Sequence, residues 1–245
     1  MSDSTDQPTP TTLPEPFPTD WTRCLVLVAH PDDTEYGMSA AIARWTAEGR
    51  SVVYVLASSG EAGIEGMAPS IAGPIREEEQ RRSAAHVGVH TVEFLGFPDS
   101  RIVNNGDLRD AIADSIRKHR PDVVVSLYSG AEFAPGFPNQ SDHIEFGAAV
   151  GAAYDDVVAA AGVDSREGRP QMWFESDPQP SHYVDVKGFI EPAVDALAEH
   201  REYMSVLDPQ TPVRDQARAQ VERMVAPVEG LADGDPVVGF TRKRP

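Results

Sequence analysis

One stretch constrains this chain more than any other. The unbroken apolar run Cys24-Leu25-Val26-Leu27-Val28-Ala29 gives way at once to His30-Pro31-Asp32-Asp33. A short run rich in β-branched residues reads as a strand buried on both faces, as in a parallel sheet covered by helices. Pro31 has no N–H and stops the strand. His30, Asp32 and Asp33 therefore fall on the loop leaving the strand's C-terminal end, the edge where open α/β sheets bind ligands. Met38, Ala41, Ile42 and Trp45 then repeat at helical spacing. Asp33 or Thr34 is placed to cap that helix, and Gly49 to close it in a left-handed conformation.

The same alternation continues. Ser51–Ala57, Thr91–Leu95 and Asp122–Leu127 read as further strands. Between them lie a very polar, solvated helix over Ile75–Gly88 and an amphipathic one over Asp107–His119, where Leu108, Ile112 and Ile116 share a face and Pro121 ends the helix. An Ala-rich helix runs from Ser141 to about Ala161, capped by Ser141 or Asp142. Strands alternating with helices predict an α/β fold, a mostly parallel sheet with right-handed crossovers. Gln171–Phe174 and His182–Val186 are expected as strands, and Phe189–Met204 as one helix. The final ~40 residues carry no clear pattern. Met1–Asp20, with five prolines, is expected as a flexible tail or surface strap, leaving a single domain over 21–245. The Gly- and Pro-bearing stretches 62–74 and 128–140 are expected to be loops that shape a site.

Lys and Arg number 21 against 39 Asp and Glu, a net charge of −18. Nucleic acid and anionic membranes attract positive charge, so neither is an expected partner. Cys24 is the only cysteine, so no disulfide forms within the chain, and it falls inside a strand as a small apolar group. No apolar run approaches the ~20 residues of a membrane span, and no basic-then-apolar leader opens the sequence. A cytoplasmic protein is the natural expectation.

Taken singly, His30, Asp32 and Asp33 are ordinary cap or surface residues. Together, an imidazole and a carboxylate pinned between strand and helix suit zinc or another first-row divalent ion. A third ligand must come from elsewhere, and His143 lies in the first turn of a helix at the same sheet edge. His30, Asp33 and His143 make a three-ligand set with a position left open, as catalytic zinc sites have. Zinc acidifies a bound water and polarises a carbonyl. Asp32, free beside the metal, can take a proton from the attacking water and return it to a leaving nitrogen, which is amide hydrolysis.

Ala29-His30-Pro31-Asp32-Asp33 resembles the signature of the PIG-L/LmbE-like zinc-dependent N-acetylglucosaminyl deacetylases. The resemblance continues through Ser59-Gly60-Glu61, Arg76-Glu77-Glu78-Glu79, Phe94–Asp99, Arg120–Val124 and Ser141-Asp142-His143. It implies a Rossmann-like fold, zinc at His30, Asp33 and His143, and Asp32 as general base. It also places Glu61, Arg76 and Asp99 on the sugar side of the pocket. Two departures stand out. Gln140 occupies the place of a histidine that commonly acts on the oxyanion or leaving group. It can donate a hydrogen bond but cannot deliver a proton. Thr34 follows the Asp pair where Glu is usual, with Glu35 one position later. His182 is the one other candidate histidine for the missing acid.

The expected function is hydrolysis of an N-acyl group, most simply acetyl, from a small amino-sugar conjugate, with one Zn2+ per chain. A thiol-conjugate amidase would use the same residues with a different pocket, and a non-catalytic sugar- or metal-binding protein is the reading Gln140 favours. A two-metal phosphoesterase has only one obvious ligand set to draw on and no P-loop. The sequence leaves a homo-oligomer open.

Overall fold

The computed structural model describes residues 13–134, 136–161, 169–225, 227–228 and 230–244. In chain order the elements are β1 Glu15–Pro16, β2 Arg23–Val28, α1 Asp33–Gly37, α2 Ser39–Ala47, β3 Ser51–Leu56, α3 Pro69–His86, β4 Thr91–Phe94, α4 Gly106–His119, β5 Val123–Leu127, β6 Glu132–Ala134, β7 Phe137–Pro138 and α5 Ser141–Ala160. β8 Gln171–Glu175, β9 His182–Asp185, α6 Ile190–Leu197, α7 Arg201–Leu207, α8 Val213–Met224 and β10 Val237–Arg242 follow.

The main sheet runs β1-β9-β10-β8-β5-β2-β3-β4. From β8 to β4 every pairing is parallel. The apolar run predicted as the first buried strand is its centre, and Leu25 to Ala29 have no exposed surface. β3 and β4 extend the sheet to one side of β2, while β5 and β8 extend it to the other. The crossover direction therefore reverses between β2 and β5, and the loops leaving those strands flank the crevice where ligands bind in such sheets. Helices flank the sheet as two packed groups, α4 with α5, and α2, α3 and α8 around α6. No helix among the described residues is long and apolar enough to cross a membrane.

Several local expectations are corrected. The cap position of the first helix is Asp32, not Asp33 or Thr34, and no side chain there makes a capping hydrogen bond. The helix bends at Met38 into α2. Gly49 does take the left-handed conformation, at φ 87°. α5 likewise starts from Gln140 without a side-chain cap, because the Asp33 and Asp142 carboxylates turn to histidines instead. α3 starts at Pro69, six residues earlier than predicted. Pro69 suits a first helical turn, and Pro74, near the start, costs only one ladder bond. Nor is α3 a solvated rod: Arg76, Glu79, Gln80 and Ser83 are buried. The helix expected over Phe189–Met204 breaks into α6 and α7 around His200, whose side chain is fully buried.

At the N-terminus, residues 1–12 of the predicted tail lie outside the described residues. The remainder is built in, since Glu15 and Pro16 pair with β9 and Phe17 is buried among Trp21, Trp45, Trp173 and Phe240. The unpatterned C-terminal stretch supplies α8 and β10, which lies antiparallel between β8 and β9. Cys24 is a buried free thiol, as expected.

Candidate active site

Asp33 is fixed first. Its Oδ2 accepts backbone N–H bonds from Ala29 and His30 at 2.9 and 2.8 Å. That leaves Oδ1 to meet His143 Nε2 at 3.0 Å. The His30 ring lies between carboxylates, with Nδ1 3.7 Å from Asp33 Oδ2. Its Nε2 is 3.2 Å from Asp142 Oδ2 and 3.3 Å from Asp99 Oδ1. His30 and His143 are 5.4 Å apart between ring centres. Ligand atoms of His30, Asp33 and His143 all lie within 4.8 Å of one another, and so do those of His30, Asp99 and Asp142.

These contacts concentrate negative charge on two imidazoles. Burial disfavours the charged form of His30, yet hydrogen bonds to Asp142, Asp33 and Asp99 override it and push the ring up to about 12. His143 is raised against its own burial by Asp33. Asp33, also buried, is driven far below the usual carboxylate range by His143 and His30. The cluster is a place that demands positive charge, which a divalent cation would satisfy.

Asp32 points elsewhere. Its backbone is left-handed, φ 89°, which is sparsely populated for a non-glycine residue and is held only where surroundings enforce it. Here the Asp32 N–H donates to Gln80 Oε1 at 2.8 Å, and Arg76 donates to Asp32 Oδ2 at 3.2 Å. The Arg76 guanidinium also donates to the Gly60 and Pro31 carbonyls and lies over the Tyr203 ring. Burial raises the Asp32 carboxyl to about 6, with Arg76 opposing. Behind this, Gln80 donates to Glu35 at 3.2 Å. Glu35 Oε2 lies 3.5 Å from Nε2 of the buried His200.

A cavity of about 770 Å³ opens at this edge and is lined by Asp32, Asp33, His143, Gln140, Glu175 and apolar residues. Glu175 is buried at the end of β8, and burial lifts its carboxyl to about 7 despite a hydrogen bond from Ser176. Gly37 lies opposite, where a Cβ would meet that carboxyl and force the Glu175 side chain to shift.

Of the four residues expected to face the sugar, Gln140 lines the cavity and Glu61, Arg76 and Asp99 do not. Glu61 Oε1 accepts from the Asp99 N–H, and Asp99 Oδ2 accepts from the Ala62 N–H, a reciprocal clamp behind His30. His182 lies edge-on to Trp173, 4.6 Å between ring centres, and is not part of the lining. Sequence reasoning gives Gln80 and Glu175 no role, reads Asp142 only as a possible cap within a motif, and notes Glu35 only as a glutamate one position beyond its usual place. Arg76, Gln80 and Ser83 do follow one another at helical spacing, so a periodic reading of polar residues would have flagged that face.

The fold and cavity define an α/β protein whose histidines and acids gather at the C-terminal edge of a parallel sheet, at the point where its winding reverses. The chain belongs to the PIG-L family, whose model, described as GlcNAc-PI de-N-acetylase, matches residues 25–154. It is 27% identical over 195 residues to a diacetylchitobiose deacetylase of Thermococcus kodakarensis, covering 76% of this chain and 71% of that protein. It is 26% identical over 191 residues to a probable N-acetyl-α-D-glucosaminyl L-malate deacetylase 2 of Bacillus anthracis, covering 72% of this chain and 79% of that one. In fold it resembles the N,N'-diacetylchitobiose deacetylase of Pyrococcus horikoshii, with a TM-score of 0.76 at 19% identity, covering 91% of this chain and 84% of that one.

Proposed function

We propose that this protein is a metal-dependent hydrolase that removes an N-acyl group, acetyl in the simplest case, from an amino-sugar conjugate. The observation that carries this is the convergence of His30, Asp33 and His143 within 4.8 Å, with Asp32 lining the same cavity as Asp33 and His143. Two imidazoles and a carboxylate suit zinc, which is the proposed ion. Asp99 and Asp142 fit as the partners that orient His30, since ligating histidines usually give their other N–H to a carboxylate.

A divalent ion held there would supply Lewis-acid polarisation of the amide carbonyl and acidification of water. Asp32, ionised above about pH 6, takes the proton of the attacking water and returns it to the leaving nitrogen. Arg76 and Gln80 hold it in position for both transfers. Gln140, at the start of α5, donates a hydrogen bond to the developing oxyanion.

The direct test is metal content with activity. The expected result is close to one equivalent of zinc in purified protein, with release of acetate from N-acetyl amino sugars and loss of that release on chelation. Added zinc should also raise the melting temperature of stripped protein. Metal below ~0.2 equivalents, with no thermal response to zinc, counts against the reading. The non-catalytic alternative rests on Gln140, which cannot supply a proton. It gains if sugar binding is the same in wild type and Asp32→Asn and neither hydrolyses the ligand.

A further inference from the structure

The cavity has two unlike ends. One is the acid- and histidine-lined floor. The other is built by the C-terminal segment. Phe240 of β10 pairs with Glu175, the last residue of β8, so Val237, Val238 and Gly239 run on past that strand, paired only with β9. They extend a wall beyond the sheet edge, and Leu231 joins them from the preceding turn. Leu231, Val237 and Val238 are themselves buried. At the mouth, Phe137, Val228 and Met224 leave 69%, 42% and 39% of their surface exposed. Large apolar side chains exposed side by side around a cavity mark a contact surface.

Charge points the same way. The charged lining groups are Asp32, Asp33, Glu175, Asp177 and His143, and no Lys or Arg lines the cavity among the described residues. Arg76 lies behind Asp32 and outside the lining, its Nη1 bonded to the Gly60 carbonyl and its Nη2 to the Pro31 carbonyl and the Asp32 carboxylate. Away from His143, a phosphate or carboxylate on the substrate would meet acids and apolar side chains and find no Lys or Arg partner among the described lining residues. The volume, about 770 Å³, is in the range that encloses a drug-sized ligand.

We propose that the substrate is an uncharged amphiphile: an N-acyl amino sugar bearing an alkyl or aryl group that seats against Leu231, Val237 and Val238, with Val228 and Met224 at its outer end. This rests on the deacetylase reading of the site and narrows it, setting the chain apart from enzymes whose substrates carry a malate or a phosphoinositol. The apolar group enters either as the aglycone or as the acyl chain, and two substrate series separate these.

The first series is N-acetylglucosamine glycosides with methyl, butyl and hexyl aglycones. The second is methyl glycosides carrying acetyl, butanoyl and hexanoyl amides. In one series kcat/KM should rise about three- to fourfold per added methylene until the wall is covered. An N-acetylglucosaminide with a carboxylate-bearing aglycone of similar length should be at least tenfold poorer than the best neutral member. Calorimetric binding of hexyl glucoside, which has no amide, gives a readout independent of turnover. Val228→Asp, at an exposed position, should weaken it tenfold or more, and the near-isosteric Val238→Thr should weaken it severalfold. Hydrolysis that ignores chain length in both series, or prefers the carboxylate, overturns the proposal and leaves the deacetylase reading intact. Binding of hexyl glucoside that Val228→Asp abolishes, with no hydrolysis of any compound, overturns the deacetylase reading and leaves the apolar site standing.

Discussion

At the scale of single residues, Asp32 concentrates the demands of the site. A left-handed, buried aspartate is an unfavourable choice unless it is used, because both its backbone and its charge need support. Asp32→Asn keeps the shape and tolerates the same backbone. It should lower kcat by about 10²–10⁴-fold with little loss of folding stability, which steady-state kinetics and urea melts measure together. Glu175 makes a different prediction. Its free-state value of 4.5 rises to about 7 in the fold. Below pH 4.5 both states hold the proton. Between 4.5 and 7 the unfolded chain releases it while the folded chain keeps it, so stability falls as pH rises, and above 7 the whole penalty is present. Glu175→Gln removes that penalty. In metal-stripped protein it should gain about 1–3 kcal/mol on the wild type between pH 4 and pH 8. A difference that does not change with pH would contradict this account.

At the scale of elements, α3 supports the site more than any other helix, and its role was the least legible beforehand. β2, β3 and β5 could be read because a buried parallel strand announces itself by an apolar run, and His30, Asp33 and His143 because they stand where such runs stop. Arg76, Glu79 and Gln80 look like solvent-facing residues because their partners, Asp32, Glu35 and Glu202, come from segments far away in sequence. Local pattern carries no trace of such a pairing. The same holds for His200, whose buried ring breaks a helix that periodicity alone would continue, and for Asp142, which looked like a cap. Arg76→Met tests the support directly. Removing the guanidinium leaves the Asp32 carboxylate buried without its partner, and should cost about 3–5 kcal/mol in chemical denaturation as well as activity. A cost below ~1 kcal/mol would mean that water or Gln80 already carries the charge.

At the scale of the whole molecule, the segment before β2 and strand β10 meet in one aromatic cluster. Phe17 lies 4.3 Å from Trp173 and 5.2 Å from Phe240 between ring centres, joining the stretch before β2 to β8 and β10. Phe17→Ala should lower stability by about 3–5 kcal/mol, far more than a strap resting on the surface would, and calorimetry would register it as a single shifted transition. The position of β10 has a further consequence, for biosynthesis. Residues 237–242 emerge from the ribosome long after β8 and β9, yet they belong between them. A nascent chain that has already exposed both neighbours must hold the gap open until translation supplies the missing partner, with two unpaired edges bare meanwhile. Recognition of the substrate's apolar part, which depends on the same late residues, can begin only once that gap is filled.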